Sequence, residues 1–185
     1  MIKFDLDGVL VDLIFIAEDI MLQHGIKRIP TKTFQFNTEP EISDDMLWGF
    51  FYRAYDLWDV TPIYPGVTEI FSTLFSLTGE PVQVITARPR DSAVSTHEIV
   101  HKLANGIPYT IALTDSGDDK YLYLSPNDIL IEDRRKTVLH LADIGIRSIV
   151  IDKDYNKIEN ESQIPEIITR VSSVHEIIPM LPNLL

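Results

Sequence analysis

From Val67 onward, short runs of apolar and β-branched residues alternate with stretches of helical periodicity, and this alternation is the strongest constraint on the fold. It predicts helix 67–78, strand Val82–Ile85, helix 91–104, strand Tyr109–Leu113, strand Asp128–Ile131, helix 134–144 and strand Arg147–Ile151. Strands that alternate with helices form a mostly parallel sheet covered on both faces, an α/β Rossmann-like three-layer core. Ile2–Leu6 reads as a further strand, and Ile167–Val171 as the last one. Ser173 and Glu176 have capping-box spacing for a short final helix.

The segment between the first strand and this alternation has a different character. A helix over about 12–25 stops at Gly25, and residues 26–42, with Pro30 and Pro40, read as loop. Ser43, followed by Asp44 and Asp45, caps a helix to about Trp58 with Leu47, Phe51, Ala54 and Trp58 on one face. Pro62, Pro65 and Gly66 close the segment. Residues 15–63 are therefore expected to form a small helical cap, inserted into a core made of 1–14 and 64–185.

Composition narrows the function. No cysteine is present, which excludes disulfides, thiolate metal sites and cysteine nucleophiles. A formal charge of −12 argues against a basic groove for nucleic acid and against docking on an anionic membrane. The apolar stretch Val9–Leu22 is interrupted by Asp12, Glu18 and Asp19, so it is not expected to span a bilayer. A soluble, cytoplasmic protein is the expectation.

In open α/β sheets, ligands bind beyond the carboxyl ends of the strands. Those ends carry Asp5 and Asp7, Thr86 and Arg88, and Glu132 and Asp133: three polar clusters that the architecture would bring together. Two carboxylates beside a Gly turn can divide the roles of nucleophile and general acid–base, provided a cation offsets their repulsion. Asp-x-Asp-Gly alone would equally suit a simple turn.

The three clusters together resemble the motifs of the haloacid dehalogenase superfamily of phosphotransferases. Phe4-Asp5-Leu6-Asp7-Gly8-Val9-Leu10 is similar to its first motif, Val84-Ile85-Thr86-Ala87-Arg88-Pro89 to its second, and Ile129-Leu130-Ile131-Glu132-Asp133 to its fourth. The resemblance implies that Asp5 attacks phosphorus and that Asp7 protonates the leaving group and then activates water. It implies that Thr86 hydrogen-bonds a phosphoryl oxygen and that Mg²⁺ is held by Asp5, the Asp7 carbonyl and Asp133. Glu132 departs from the common Asp-Asp pair and is expected to act through water or as a direct ligand. For the third-motif lysine, Lys120 is favoured by its spacing to Glu132, with Lys102 as the alternative. Arg88 is placed in substrate binding.

The implied activity is that of a Mg²⁺-dependent phosphomonoesterase, similar to the 5′(3′)-deoxyribonucleotidase group. Its expected partner is a small phosphomonoester, a nucleoside monophosphate above all, because the cap is rich in aromatics. Phe34, Phe36, Trp48, Phe50, Phe51, Tyr52, Tyr55 and Trp58 occupy it, with Trp48, Tyr52 and Tyr55 opposite the Leu47/Phe51 stripe; Trp48 and Tyr52 are candidates to stack on a base. A sugar phosphate is the alternative substrate, and a non-catalytic phosphate-binding protein the alternative from another class. His97-Glu98-Ile99-Val100-His101 matches a zinc-protease pattern, but its histidines fall on a helix flank turned away from the apolar centre and have no third ligand in view. It is read as a solvated helix face.

Overall fold

The computed structural model describes residues 1–31, 36–157 and 164–185. Six parallel strands form the central sheet: β1 (Ile2–Phe4), β4 (Val82–Thr86), β5 (Tyr109–Leu113), β6 (Ile129–Glu132), β7 (Arg147–Ile151) and β8 (Ile168–Val171), in the order β5-β4-β1-β6-β7-β8. The chain fills one side of β1 first and then crosses to the other. β1 is therefore the point where the winding reverses, with β4 and β6 as its neighbours.

Alternation along the strands explains the layers. Ile129, Ile131, Ile149, Ile151 and Val84 point into one core with Ile70, Phe71 and Leu74 of α3 (Val67–Thr78) and Ile99, Val100 and Leu103 of α4 (Ala93–Ala104). Leu130, Val150 and Ile85 point the other way, toward α5 (Arg135–Asp143), which supplies Val138 and Leu141. The C-terminal 3₁₀ turn Val174–Met180 and α6 (Leu181–Leu184) complete the first layer.

The inserted segment packs around its own apolar cluster. α1 (Leu13–Gln23) is capped by Asp12, which accepts from Phe15 N, and α2 (Asp44–Asp56) by Ser43, which accepts from Met46 N. Their shared interior holds Ile16, Ala17, Ile20, Met21, Phe50, Phe51, Ala54 and Tyr55. The passages into and out of the segment lie side by side: Asp12 N donates to Pro62 O and Tyr64 N to Leu10 O.

Three local expectations need correction. The stretch 26–42 is not all loop, because β2 (Lys27–Ile29) and β3 (Asn37–Glu39) pair as an antiparallel ribbon. Strands of three residues are too short to show a period of two. Arg28 anchors the ribbon through Glu18 and lies 4.5 Å from the Phe36 ring centre. The helix expected to start at 91 begins as a 3₁₀ turn at Arg90–Ser92. The Ser173 capping box does not form, since the Glu176 carboxylate accepts from Ser172 N and Oγ instead. Phe34 lies outside the described residues. Among those described, no helix is long and apolar enough to cross a membrane.

Candidate active site

The three polar clusters and Lys120 meet at the carboxyl ends of β1, β4 and β6, in a cleft of about 560 Å³. Asp5 continues the pairing of β1 through its N–H to Ile131 O, 2.8 Å away, which brings its carboxylate beside the end of β6. Gly8 then turns the chain with φ +81°, and a Cβ built there would overlap the Asp133 carboxylate. Glycine is required at that place for both reasons.

The floor of the cleft is a buried charge cluster. Lys120, on the 3₁₀ segment Gly117–Tyr123 after β5, places Nζ 2.7 Å from Asp5 Oδ1 and 2.7 Å from Glu132 Oε2. The other Glu132 oxygen accepts from the backbone N–H groups of Asp133 and Arg134, both at 3.0 Å. Both oxygens of Glu132 are thus engaged, one with the lysine and one with the backbone. Lys102, the alternative third-motif lysine, lies elsewhere and donates to Asp59 O on the surface.

Burial, reinforced by the Glu132 charge, pushes the Asp5 carboxyl well above the usual carboxylate range. The same two causes push Asp133 up to about 8, against the hydrogen bond from Tyr155. Burial works to raise Glu132 as well, but Lys120 outweighs it and the net direction is downward. Burial likewise works against the Lys120 charge, and Asp5 and Glu132 outweigh it, so its pKa lies above the ordinary value. Burial first, and then a shortage of positive charge where three carboxylates lie near one ammonium, makes two of the three resist ionisation.

That shortage is the test of whether the residues suit the divalent cation implied by the sequence. Among the described residues, Asp5, Glu132 and Asp133 form the one group of three potential ligands with atoms within 4.8 Å of one another. The set is all oxygen and anionic, which fits a hard cation such as Mg²⁺ and not a thiophilic metal. His97 and His101 are exposed and stacked, and His97 Nε2 is paired with the Tyr109 hydroxyl at 3.0 Å.

Two sequence expectations change. Arg88 lines the cleft but is turned to Asp7, with Nε 2.8 Å from Oδ2 and Nη2 2.6 Å from Oδ1. It is only 2% exposed, with its guanidinium 4.8 Å from the ring centre of Tyr55 on α2. A buried arginine beside a carboxylate satisfies that charge first, so Nε and Nη2 of Arg88 are spent on Asp7, while its Nη1 has no hydrogen-bond partner among the described residues. Its backbone N–H donates to Thr86 Oγ1 at 3.3 Å, and Thr86 itself is buried at the end of β4.

The second change concerns the cap wall. Trp48 lines the cleft, with Leu13, Ile14, Phe36, Leu47 and Phe51, and remains 52% exposed. Tyr52 does not line it; Tyr55, one turn on, takes that place and is 5% exposed. Turned toward Arg88 and the core domain, Tyr55 could not be singled out from helical spacing alone. Arg134, Asp115 and Ser116 also border the cleft. They lie in loops, and no pattern in the sequence marks them.

No protein-family model matches the sequence, and no significant relative is found among curated proteins. Solved structures do match. A Clostridium difficile protein provisionally described as a phosphatase superposes with TM-score 0.65 at 20% identity, over 97% of each chain. CbbY from Rhodobacter sphaeroides, solved with phosphate, gives 0.60 at 16% identity over 95% of each chain. A predicted phosphoglycolate phosphatase from Haemophilus somnus gives 0.60 at 18%, covering 98% of this chain and 97% of that one. At such identities the likeness establishes the fold: an α/β Rossmann-like core of the haloacid dehalogenase type.

Proposed function

We propose that this chain is a Mg²⁺-dependent phosphomonoesterase that works through a phosphate carried on Asp5. The observation that carries the reading is the buried triangle of Asp5, Lys120 and Glu132 with Asp133 alongside; two residues after Asp5 stands Asp7, which Arg88 holds in place. Asp5 and Asp133 would hold the cation, with the Asp7 carbonyl as a further ligand; when bound it offsets the negative charge that carboxylates and phosphate bring together.

The Asp5 carboxylate attacks phosphorus and the phosphorus–oxygen ester bond breaks, while the departing oxygen takes a proton from the Asp7 carboxyl. Water then attacks the phosphorus on Asp5, the Asp7 carboxylate takes its proton, and inorganic phosphate leaves. Lys120 and the Thr86 hydroxyl provide positive charge and a hydrogen bond for the phosphoryl oxygens. The Arg88 fork holds the ionised Asp7 carboxylate in place for the second step, in which it takes the proton of water.

Residues 15–63 act as the cap in this reading, and the substrate is a nucleoside monophosphate. What supports that finer choice is the apolar wall, which includes the half-exposed indole of Trp48. A sugar phosphate or phosphoglycolate is the second reading, favoured by the name of the Haemophilus somnus neighbour. A phosphatase screen with Mg²⁺ across nucleotides, sugar phosphates and phosphoglycolate decides between them. Faster release of phosphate from sugar phosphates would overturn the nucleotide reading, and no release from any, p-nitrophenyl phosphate included, would overturn the enzyme.

A further inference from the structure

Asp133 is held differently from its two acidic neighbours. Lys120 bridges Asp5 and Glu132, whereas the Asp133 Oδ2 accepts a hydrogen bond from the Tyr155 hydroxyl. Asn156, the next residue, donates its amide N–H to the Asp133 carbonyl at 2.7 Å and to the Ile151 carbonyl at 2.7 Å. The Asn156 side-chain oxygen is itself fixed, accepting from Lys153 N and Arg170 Nη2 at 3.1 Å each. Asn156 is 1% exposed.

One short 3₁₀ turn after β7, Asp154–Asn156, therefore grips both the carboxylate and the backbone of Asp133. Gly8 backs onto the same carboxylate from the β1 side. Neither Tyr155 nor Asn156 borders the substrate cleft, so substrate contact does not account for them. An aspartate carboxylate swings freely about its last torsion unless something fixes its plane. A donor on Oδ2 fixes that plane and leaves Oδ1 as the oxygen with the greater freedom to bind.

We propose that Tyr155 and Asn156 are positioning residues that set the orientation of Asp133 and thereby the affinity of the site for its divalent cation. The inference rests on the reading of Asp133 as a cation ligand. Outer hydrogen-bond partners of metal ligands contribute roughly 10–100-fold to affinity in other proteins.

Tyr155→Phe keeps the ring and removes only the hydroxyl. Titration calorimetry with Mg²⁺ and no substrate should show affinity reduced about tenfold or more relative to the unaltered protein. The melting temperature without cation should change little. In the unaltered protein, amide exchange across residues 152–157 should slow when Mg²⁺ is added, a readout that needs no variant to fold. Equal Mg²⁺ affinity in Tyr155→Phe, or exchange across 152–157 that ignores Mg²⁺, overturns this proposal and leaves the phosphatase reading standing. Absence of Mg²⁺ binding by the unaltered protein overturns both.

Discussion

The floor and the wall of the cleft are built on opposite principles. On the floor, Asp5, Lys120, Glu132 and Asp133 are each no more than 7% exposed, and each is tied to a residue from another element. The wall meets the cleft with rings and aliphatic chains that pack on one another, such as Trp48 and Phe51 with ring centres 5.7 Å apart. Displacing one floor residue strands a buried charge, whereas displacing an exposed wall residue such as Trp48 strands none. In the proposed reading, the chemistry would sit on the tightly tied floor and the choice of substrate on the apolar wall.

The harshest test of this contrast is Asp5→Asn, which should lower turnover of p-nitrophenyl phosphate by about 10³-fold or more, since an amide is a poor nucleophile. Asp7→Asn should cost about 10²–10⁴-fold and, with this good leaving group, accumulate phosphate on Asp5, visible as a mass gain after rapid quenching. Next comes Lys120→Met, which leaves Asp5 and Glu132 facing each other uncompensated. A loss of roughly 3–5 kcal/mol in thermal or denaturant unfolding is expected; an unchanged melting temperature would show that the floor is not strained by charge. Trp48→Ala, on the wall, should leave stability nearly untouched and raise KM for nucleotides by an amount equivalent to about 1–3 kcal/mol. A fall in melting temperature with KM unchanged would make Trp48 an ordinary packing residue.

A gentler probe is pH. The Asp133 carboxyl, at about 8 in the folded chain against 3.8 ordinarily, binds its proton more tightly when folded. Its stabilising contribution is complete below about pH 4 and is lost as pH rises through about 8. Asp5 acts in the same direction. Without divalent cation, the protein should therefore melt at a lower temperature near pH 9 than near pH 6, and Asp133→Asn should flatten that slope. Mg²⁺ should raise the melting temperature more at the higher pH.

The same contrast explains what could be read in advance. Asp5, Thr86 and Asp133 stand at the ends of apolar runs, so the alternation of strands and helices delivers them to the carboxyl end of the sheet. Lys120 could be chosen over Lys102 because a cation must reach the strand ends, and Lys102 falls in mid-helix. Arg88 was legible as a site residue but not as the partner of Asp7, because a long side chain can turn toward any charge within reach. Tyr52 and Tyr55 are three apart on one helix, and only the packing of α2 against the core domain decides which meets the cleft. Tyr155 follows β7 in a turn with no motif, and its link to Asp133 spans 22 residues. The three-residue strands β2 and β3 were hidden by their brevity.

The placement of β1 also sets a schedule. Its neighbour β6 is encoded 127 residues later, where Ile129 meets Ile2. At roughly 5–20 residues per second, a growing chain carries Asp5 for on the order of 6–25 s before Glu132 and Asp133 exist. A chain that stops short of Ile129 holds Asp5, Asp7, Thr86 and Lys120, but has neither the acid that anchors the lysine nor the second candidate cation ligand, and one edge of β1 stays open to stray pairing. In the phosphatase reading, phosphate release would begin only after the sheet has closed around its first strand, so in a refolding or translation assay the appearance of turnover would time the completion of the fold.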